Sequence, residues 1–172
     1  LTEEVSNSSG PILDCGSGLS TVIGGVLSGR RGQTLWGLEQ DEEWTSTVRE
    51  ILDQLGVHAV ELHHVTLRSH HDYLWYDISR LSLPSNFAAA LCDGPSIPEG
   101  PYKTRSRYGL LPTLARTCVK VDRVLADDVV EQRMQQVIRW WESEFGLKTE
   151  HYAGPDGNCA VLSGGRPAIA VR

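Results

Sequence analysis

The chain has 172 residues, 40% of them hydrophobic and 22% charged, with a formal net charge of −6. That length fits one domain burying roughly 70% of the surface its unfolded chain exposes, so a core forms without a metal or disulfide scaffold. The acidic balance argues against a phosphate-backbone binder and no apolar run reaches the ~18 residues of a membrane span, so neither a nucleic-acid partner nor a membrane is expected.

Residues 11–15 (PILDC) form a short apolar run closed by Gly16, and a helix of small residues is expected over 19–30. A second strand is expected over 34–39 (TLWGLE), after which Asp41, Glu42 and Glu43 suit the positive first turn of a helix. Trp44, Val48, Ile51 and Leu55 give that helix one apolar stripe, and Gly56 stops it. A third strand covers 58–64 (HAVELHH), followed by an irregular stretch. Residues 87–92 (FAAALC) are the most continuously apolar run, as in a strand covered on both faces. A Pro/Gly-rich loop over 94–101 precedes a helix over 107–117 and a strand over 120–126. Val130, Met134, Val137, Trp141 and Phe145 mark a long helix ending at Gly146. Residues 148–153 and 159–164 flank the turn-rich AGPDGN and read as a β-hairpin. Cys15, Cys92, Cys118 and Cys159 lie far apart in apolar segments, the pattern of reduced thiols in a cytoplasmic protein.

Alternating strands and helices imply an α/β, Rossmann-like three-layer sandwich with a mostly parallel sheet. One domain is expected over 1–172, with a leader (1–10), a core (11–164) and a tail (165–172). Ligands of such sheets bind beyond the carboxyl ends of the strands. The first strand end reads Asp14-Cys15-Gly16-Ser17-Gly18-Leu19-Ser20-Thr21. Two glycines allow a sharp turn and close approach to a ligand, but a nicotinamide fingerprint wants glycine or alanine where Thr21 stands. A sulfonium cofactor carries both an ammonium and a carboxylate: Asp14 suits the cation, the turn amides and Ser20 the anion. Glu39 closes the second strand and can accept ribose hydroxyls.

ILDCGSGLST, WGLEQD, CDGP, SRYGLLPTL and VLADD together resemble the class I S-adenosylmethionine-dependent methyltransferases, in particular small O-methyltransferase-like members. The resemblance runs over residues 11–164 and implies a seven-stranded sheet of order 3-2-1-4-5-7-6 with strand seven antiparallel. It implies methylation of a small-molecule acceptor, foremost on an oxygen, with a nitrogen as the alternative. Carried over by position, Asp14, Gly16, Ser17, Gly18 and Ser20 hold the methionine end of S-adenosylmethionine, and Glu39 the ribose. Gln40, Val65, Thr66 and Leu67 flank the adenine. Asp93 borders both the cofactor and the acceptor.

Asp93, Asp127 and Asp128 fall at the ends of neighbouring strands, where acids repel unless a cation or proton is shared; hard oxygen ligands favour Mg²⁺. In the similar catechol-type enzymes such residues hold the metal that lowers the acceptor's pKa. Helix capping is the other reading of Asp128. Without a metal, Lys103 and His70 or His71 are the candidate bases, and Asp93 stays a candidate catalytic residue through the metal it would hold. The doublets His63-His64 and His70-His71 are not expected to chelate, because strand neighbours point to opposite faces. Trp75 and Tyr76 are expected to pack against the sheet, with an aromatic substrate slot as the alternative. The short leader leaves the acceptor lid to residues outside this sequence, to a neighbouring subunit of a homodimer, or to no lid at all for a large acceptor. A nicotinamide-dependent oxidoreductase and a non-catalytic domain of the same fold stay open as alternatives.

Overall fold

The computed structural model describes residues 2–97, 100–102, 105–154 and 157–164. The chain begins with α1 (Thr2–Asn7), β1 (Ile12–Cys15), α2 (Leu19–Arg30), β2 (Leu35–Glu39), α3 (Glu42–Gln54) and β3 (Val60–His64). A hairpin of β4 (Leu67–His70) and β5 (Tyr73–Tyr76) follows, then β6 (Asn86–Phe87), β7 (Ala89–Cys92) and α4 (Leu110–Arg116). It ends with β8 (Lys120–Val121), β9 (Arg123–Ala126), α5 (Gln132–Phe145), β10 (Lys148–Gly154) and β11 (Gly157–Ser163).

Seven strands form one sheet in the order β10-β11-β9-β7-β1-β2-β3. Counting only its members, that is 3-2-1-4-5-7-6 read from the β3 edge, the expected order. β1 pairs parallel with β2 and β7, whereas β11 runs antiparallel to both β9 and β10. Strand order reverses between β1 and β7, the switch point where open α/β sheets take ligands.

Alternation along the buried strands supplies both outer layers. Leu13, Cys15, Ala90, Cys92, Val124 and Ala126 join α4, α5 and the β4–β5 hairpin in the largest apolar cluster. Ile12, Leu35, Ala89, Leu91 and Leu125 face the other way and meet Val5 of α1. A Cβ on Gly24 or Gly25 of α2 would fall 2.5 Å from Leu35 Cδ1 or 2.4 Å from Val60 Cγ2, so these small residues let α2 lie close on the sheet.

The structure departs from the sequence reading at several local points. Residues 2–7 of the leader are helical because Val5, 1% exposed, has a sheet face to cover. The irregular stretch holds the β4–β5 hairpin, Leu67 paired with Tyr76 and His70 with Tyr73. The strands expected over 87–92 and 120–126 are each broken, with β6 and β8 forming a separate two-stranded pair. α3 buries Thr45, Val48 and Leu52 rather than the Trp44-Val48-Ile51-Leu55 stripe, because Trp44 turns toward the strand ends, where its indole donates to Ser17 O at 2.9 Å. α5 buries Met134, Val137, Ile138 and Trp141 as its spacing requires, and Gly146 closes it in the left-handed conformation at φ 68°. Val130 stands before that helix and is exposed. Among the described residues no helix is long and apolar enough to cross a membrane.

Candidate active site

The turn after β1 is built by hydrogen bonds within the chain. Gly16 adopts φ 97°, a conformation that favours glycine, and a Cβ there would fall 2.7 Å from Gly94 N. The β1 and β7 turns therefore cross in contact, and Gly94 N donates to Cys15 O at 2.6 Å. Thr21, fully buried in the first turn of α2, accepts from Gly18 N at 2.9 Å and donates to Asp14 Oδ2 at 2.7 Å. Ser20 Oγ donates to the same oxygen at 3.0 Å. Asp14 is completely buried, and its Oδ1 has no partner among the described residues. Burial pushes its carboxyl up to about 7, against the pull of the Thr21 and Ser20 hydrogen bonds, and the nearby Asp93 and Glu39 push the same way.

At the end of β2, Glu39 Oε2 accepts from Ser17 N at 3.0 Å and Ser17 Oγ at 2.9 Å, while Oε1 accepts from Gln40 N at 2.7 Å and Asp41 N at 3.0 Å. The carboxylate therefore pins the β1 turn to the β2 turn. Gln40 Nε2 donates to Ser96 O at 2.5 Å and ties the β2 turn to the loop after β7.

A cavity of about 720 Å³ opens over the switch point. Gly16, Ser17, Glu39 and Gln40 border it on one side, and Asp93, Gly94, Arg107 and Asp128 on the other. Trp44, Tyr76, Ile97, Met134 and Val137 supply apolar wall, and Glu131 and Arg133 complete the charged part. Such a volume suits a nucleoside-sized ligand. Three buried oxygens nearby have no partner among the described residues, Gln40 Oε1 and Tyr76 Oη on residues that line the cavity and Asp14 Oδ1 on one that does not, and they call for polar atoms the protein does not supply. These residues thus fit a charged nucleoside cofactor.

They do not fit Mg²⁺. Arg107 stands among the three acids: its Nη2 donates to Asp93 Oδ1 at 2.9 Å and Asp128 Oδ2 at 2.8 Å, and its Nη1 to Asp127 O at 3.2 Å. Asp127 Oδ1 instead accepts from Asp128 N at 2.8 Å. The guanidinium is the shared cation, and among the described residues no group of three His, Cys, Asp or Glu is placed to hold a metal ion. Asp128 sits at φ 54°, where short polar side chains are the non-glycine residues best tolerated. Burial raises the Asp93 carboxyl above the usual carboxylate range, Arg107 pulls it down, and Asp127 and Asp128 push it up.

Other expected residues lie elsewhere. His70 is in β4, not a cofactor-side loop: its ring stacks on Tyr73, Nδ1 lies 3.0 Å from Arg116 Nη1, and it does not line the cavity. Burial and the Arg116 charge lower its pKa. Val65, Thr66 and Leu67 do not line the cavity either; Val65 N donates to Glu39 O at 2.6 Å and Thr66 O accepts from Asp77 N at 2.9 Å. Lys103 lies outside the described residues. Trp44, expected on the apolar stripe of α3, lines the cavity together with Arg107, and Tyr76 lines it as in the alternative of an aromatic slot. Trp140 of α5 places its ring centroid 4.3 Å from the Arg105 guanidinium carbon and does not line the cavity.

No protein-family model matches the chain, and no curated protein sequence does. Solved structures do match in fold. The METTL16 MTase domain superposes with a TM-score of 0.64 at 10% identity, over 94% of this chain and 63% of that one. This chain thus spans less than two thirds of that domain. The C-terminal domain of precorrin-6Y C5,15-methyltransferase from Rhodobacter capsulatus gives 0.59 at 14% identity, over 96% and 86%. An rRNA methylase from Streptococcus thermophilus gives 0.59 at 11% identity, over 96% and 94%. The N-terminal domain of human METTL16, also similar, was solved in complex with SAH. The rRNA methylase corrects the expectation of no nucleic-acid partner. A formal charge summed over 172 residues says little about one cleft, and a chain of this same fold is a methylase of RNA. The chain has the Rossmann-like fold of the class I S-adenosylmethionine-dependent methyltransferases.

Proposed function

We propose that this chain transfers the methyl group of S-adenosylmethionine to an oxygen of its acceptor, without a metal ion. One observation carries the reading: Gly16 and Ser17 after β1, Glu39 after β2 and Asp93 after β7 border a single cavity at the switch point of the sheet. The cofactor supplies an activated methyl group on a sulfonium, which moves by in-line displacement. The protein's part is alignment and exclusion of water.

Asp14, through its unpartnered Oδ1, would hold the ammonium. Glu39 would hold the ribose once the Ser17 hydroxyl rotates off Oε2, since both carboxylate oxygens otherwise carry two donors each. Trp44 and Ile97 give the flat apolar wall a nucleobase needs, in place of Val65, Thr66 and Leu67.

Asp93 would take the proton of the acceptor hydroxyl. Arg107 fixes its Oδ1, and the raised pKa makes it a better base than an ordinary carboxylate. Arg107 meanwhile offsets the repulsion between Asp93 and Asp128. The four free thiols, Cys15, Cys92, Cys118 and Cys159, support a cytoplasmic setting.

The test is calorimetric titration with S-adenosylmethionine and S-adenosylhomocysteine, then transfer of an isotope-labelled methyl group to hydroxyl-bearing acceptors. Micromolar binding with turnover that Asp93→Ala abolishes is expected. No binding of either compound at millimolar concentration would reject the reading.

A further inference from the structure

Tyr76 ends β5, the strand that returns the hairpin to the cavity, and it is 1% exposed. Its hydroxyl lies where the β1 and β7 turns cross: a Cβ built on Gly94 would fall 2.5 Å from Tyr76 Oη and 2.8 Å from Gly16 Cα. No group among the described residues hydrogen-bonds to this hydroxyl, although the side chain lines the cavity. A buried hydroxyl without a partner is costly in a folded protein and is ordinarily satisfied by water or a ligand. Burial, together with the surrounding Cys15, Glu39, Cys92 and Asp14, keeps the phenol protonated far above neutral pH. The group therefore offers one donor and two lone pairs.

Several groups of the turn are already engaged within the protein. Gly16 N donates to Leu38 O at 3.0 Å, Ser17 N to Glu39, Gly18 N to Thr21 Oγ1, and Ser20 Oγ to Asp14. The amides and hydroxyl expected to receive a ligand's carboxylate are engaged within the protein. Asp14 Oδ1, Gln40 Oε1 and Tyr76 Oη are buried polar atoms that remain open around the crevice, and of these only Tyr76 Oη lies where the β1 and β7 turns cross, against Gly16 and Gly94.

We propose that Tyr76 Oη hydrogen-bonds the zwitterionic amino-acid end of the cofactor, in the place where the turn amides are engaged by the protein. A hydroxyl suits both halves of such a group, donating to a carboxylate and accepting from an ammonium. The inference rests on the sulfonium-cofactor reading above. It makes the inserted hairpin part of the cofactor site, so Tyr76 is a binding residue and not sheet packing alone.

Tyr76→Phe removes one oxygen and keeps the ring. Calorimetric titration of wild type and variant with S-adenosylhomocysteine and with 5′-methylthioadenosine, which lacks the amino-acid end, tests the assignment. The variant is expected to bind S-adenosylhomocysteine about tenfold more weakly and 5′-methylthioadenosine within twofold of wild type. The ligand-free variant is expected to unfold at the same or a higher urea concentration, since an unsatisfied group has gone. Unchanged S-adenosylhomocysteine affinity, or an equal loss for both compounds, overturns the assignment of Tyr76 while leaving the cofactor reading intact. Failure of the wild type to bind S-adenosylhomocysteine at all overturns both.

Discussion

Arg107 meets Asp128 at 2.8 Å across the carboxyl edge of the sheet, and the same guanidinium nitrogen reaches Asp93 at 2.9 Å. The Arg107 side chain is 16% exposed, whereas the two carboxylates are 58% and 48% exposed. The cation is thus withdrawn from water and its partners face the cavity. Removing it leaves two acids close together with no counter-charge. Arg107→Ala is expected to lower stability by about 1–2 kcal/mol, a figure held down by the exposure of the acids. Turnover is expected to fall at least tenfold, with Arg107→Lys intermediate because it lacks the planar fork. Wild-type turnover is expected to be the same in excess chelator as in millimolar Mg²⁺. A chelator-sensitive rate restored by Mg²⁺ would refute the metal-free reading.

Asp14 makes stability depend on pH in an unusual direction. Its folded pKa of about 7 exceeds the unfolded value of 3.8, so between these pH values the folded state holds more protons. Stability is then highest below about pH 4 as far as this group goes, declines as pH rises through 7, and levels off above that. The span is on the order of a few kcal/mol. Asp14→Asn keeps the shape without the charge and is expected to flatten the decline, as read from urea midpoints across pH 4 to 8. A decline as steep in the variant as in the wild type would place the titration elsewhere.

How much of this was legible beforehand depended on whether a residue's role is local. The FAAALC run announces a strand buried on both faces, and Met134, Val137 and Trp141 announce one face of α5, because burial writes a period into the sequence. Asp14 and Glu39 could be placed because they end strands, and strand ends form the binding edge. The β4–β5 hairpin could not. Leu67-Arg68-Ser69-His70 alternates weakly, and its turn, His71-Asp72, contains no glycine. Trp44 kept perfect helical spacing with Val48 and Ile51, yet its face was decided by Ser17 O, 27 residues away. Arg107 likewise takes its role from Asp93 and Asp128, 14 and 21 residues distant. Pairings of that separation leave no local periodicity.

The two turn glycines are expected to respond differently to substitution. Gly16 has φ 97° and no room for a Cβ beside Gly94 N, so Gly16→Ala combines backbone strain with a clash against main chain. A loss of about 2–4 kcal/mol is expected. Gly18 has φ 172°, extended backbone that any residue adopts, and a Cβ there meets nothing within 4 Å. Gly18→Ala is expected to shift the ligand-free unfolding free energy by less than about 0.5 kcal/mol. Denaturant titration of both variants checks the contrast, and similar midpoints would mean that the turn relaxes around either methyl group.

Ser17 and Glu39 set the last expectation. The Ser17 hydroxyl, 2.9 Å from Glu39 Oε2, takes a lone pair that a ribose hydroxyl would need, while the Ser17 amide at 3.0 Å independently pins the turn. Ser17→Ala removes the first and spares the second. S-adenosylhomocysteine affinity is therefore expected to stay level or tighten up to about tenfold, because a competing donor has gone. Glu39→Ala strips the partner from the Ser17, Gln40 and Asp41 amides together and is expected to abolish detectable binding and lower the unfolding midpoint. Calorimetry on the two variants separates the roles. Weaker binding by Ser17→Ala would mean that the hydroxyl serves the ligand and does not compete with it.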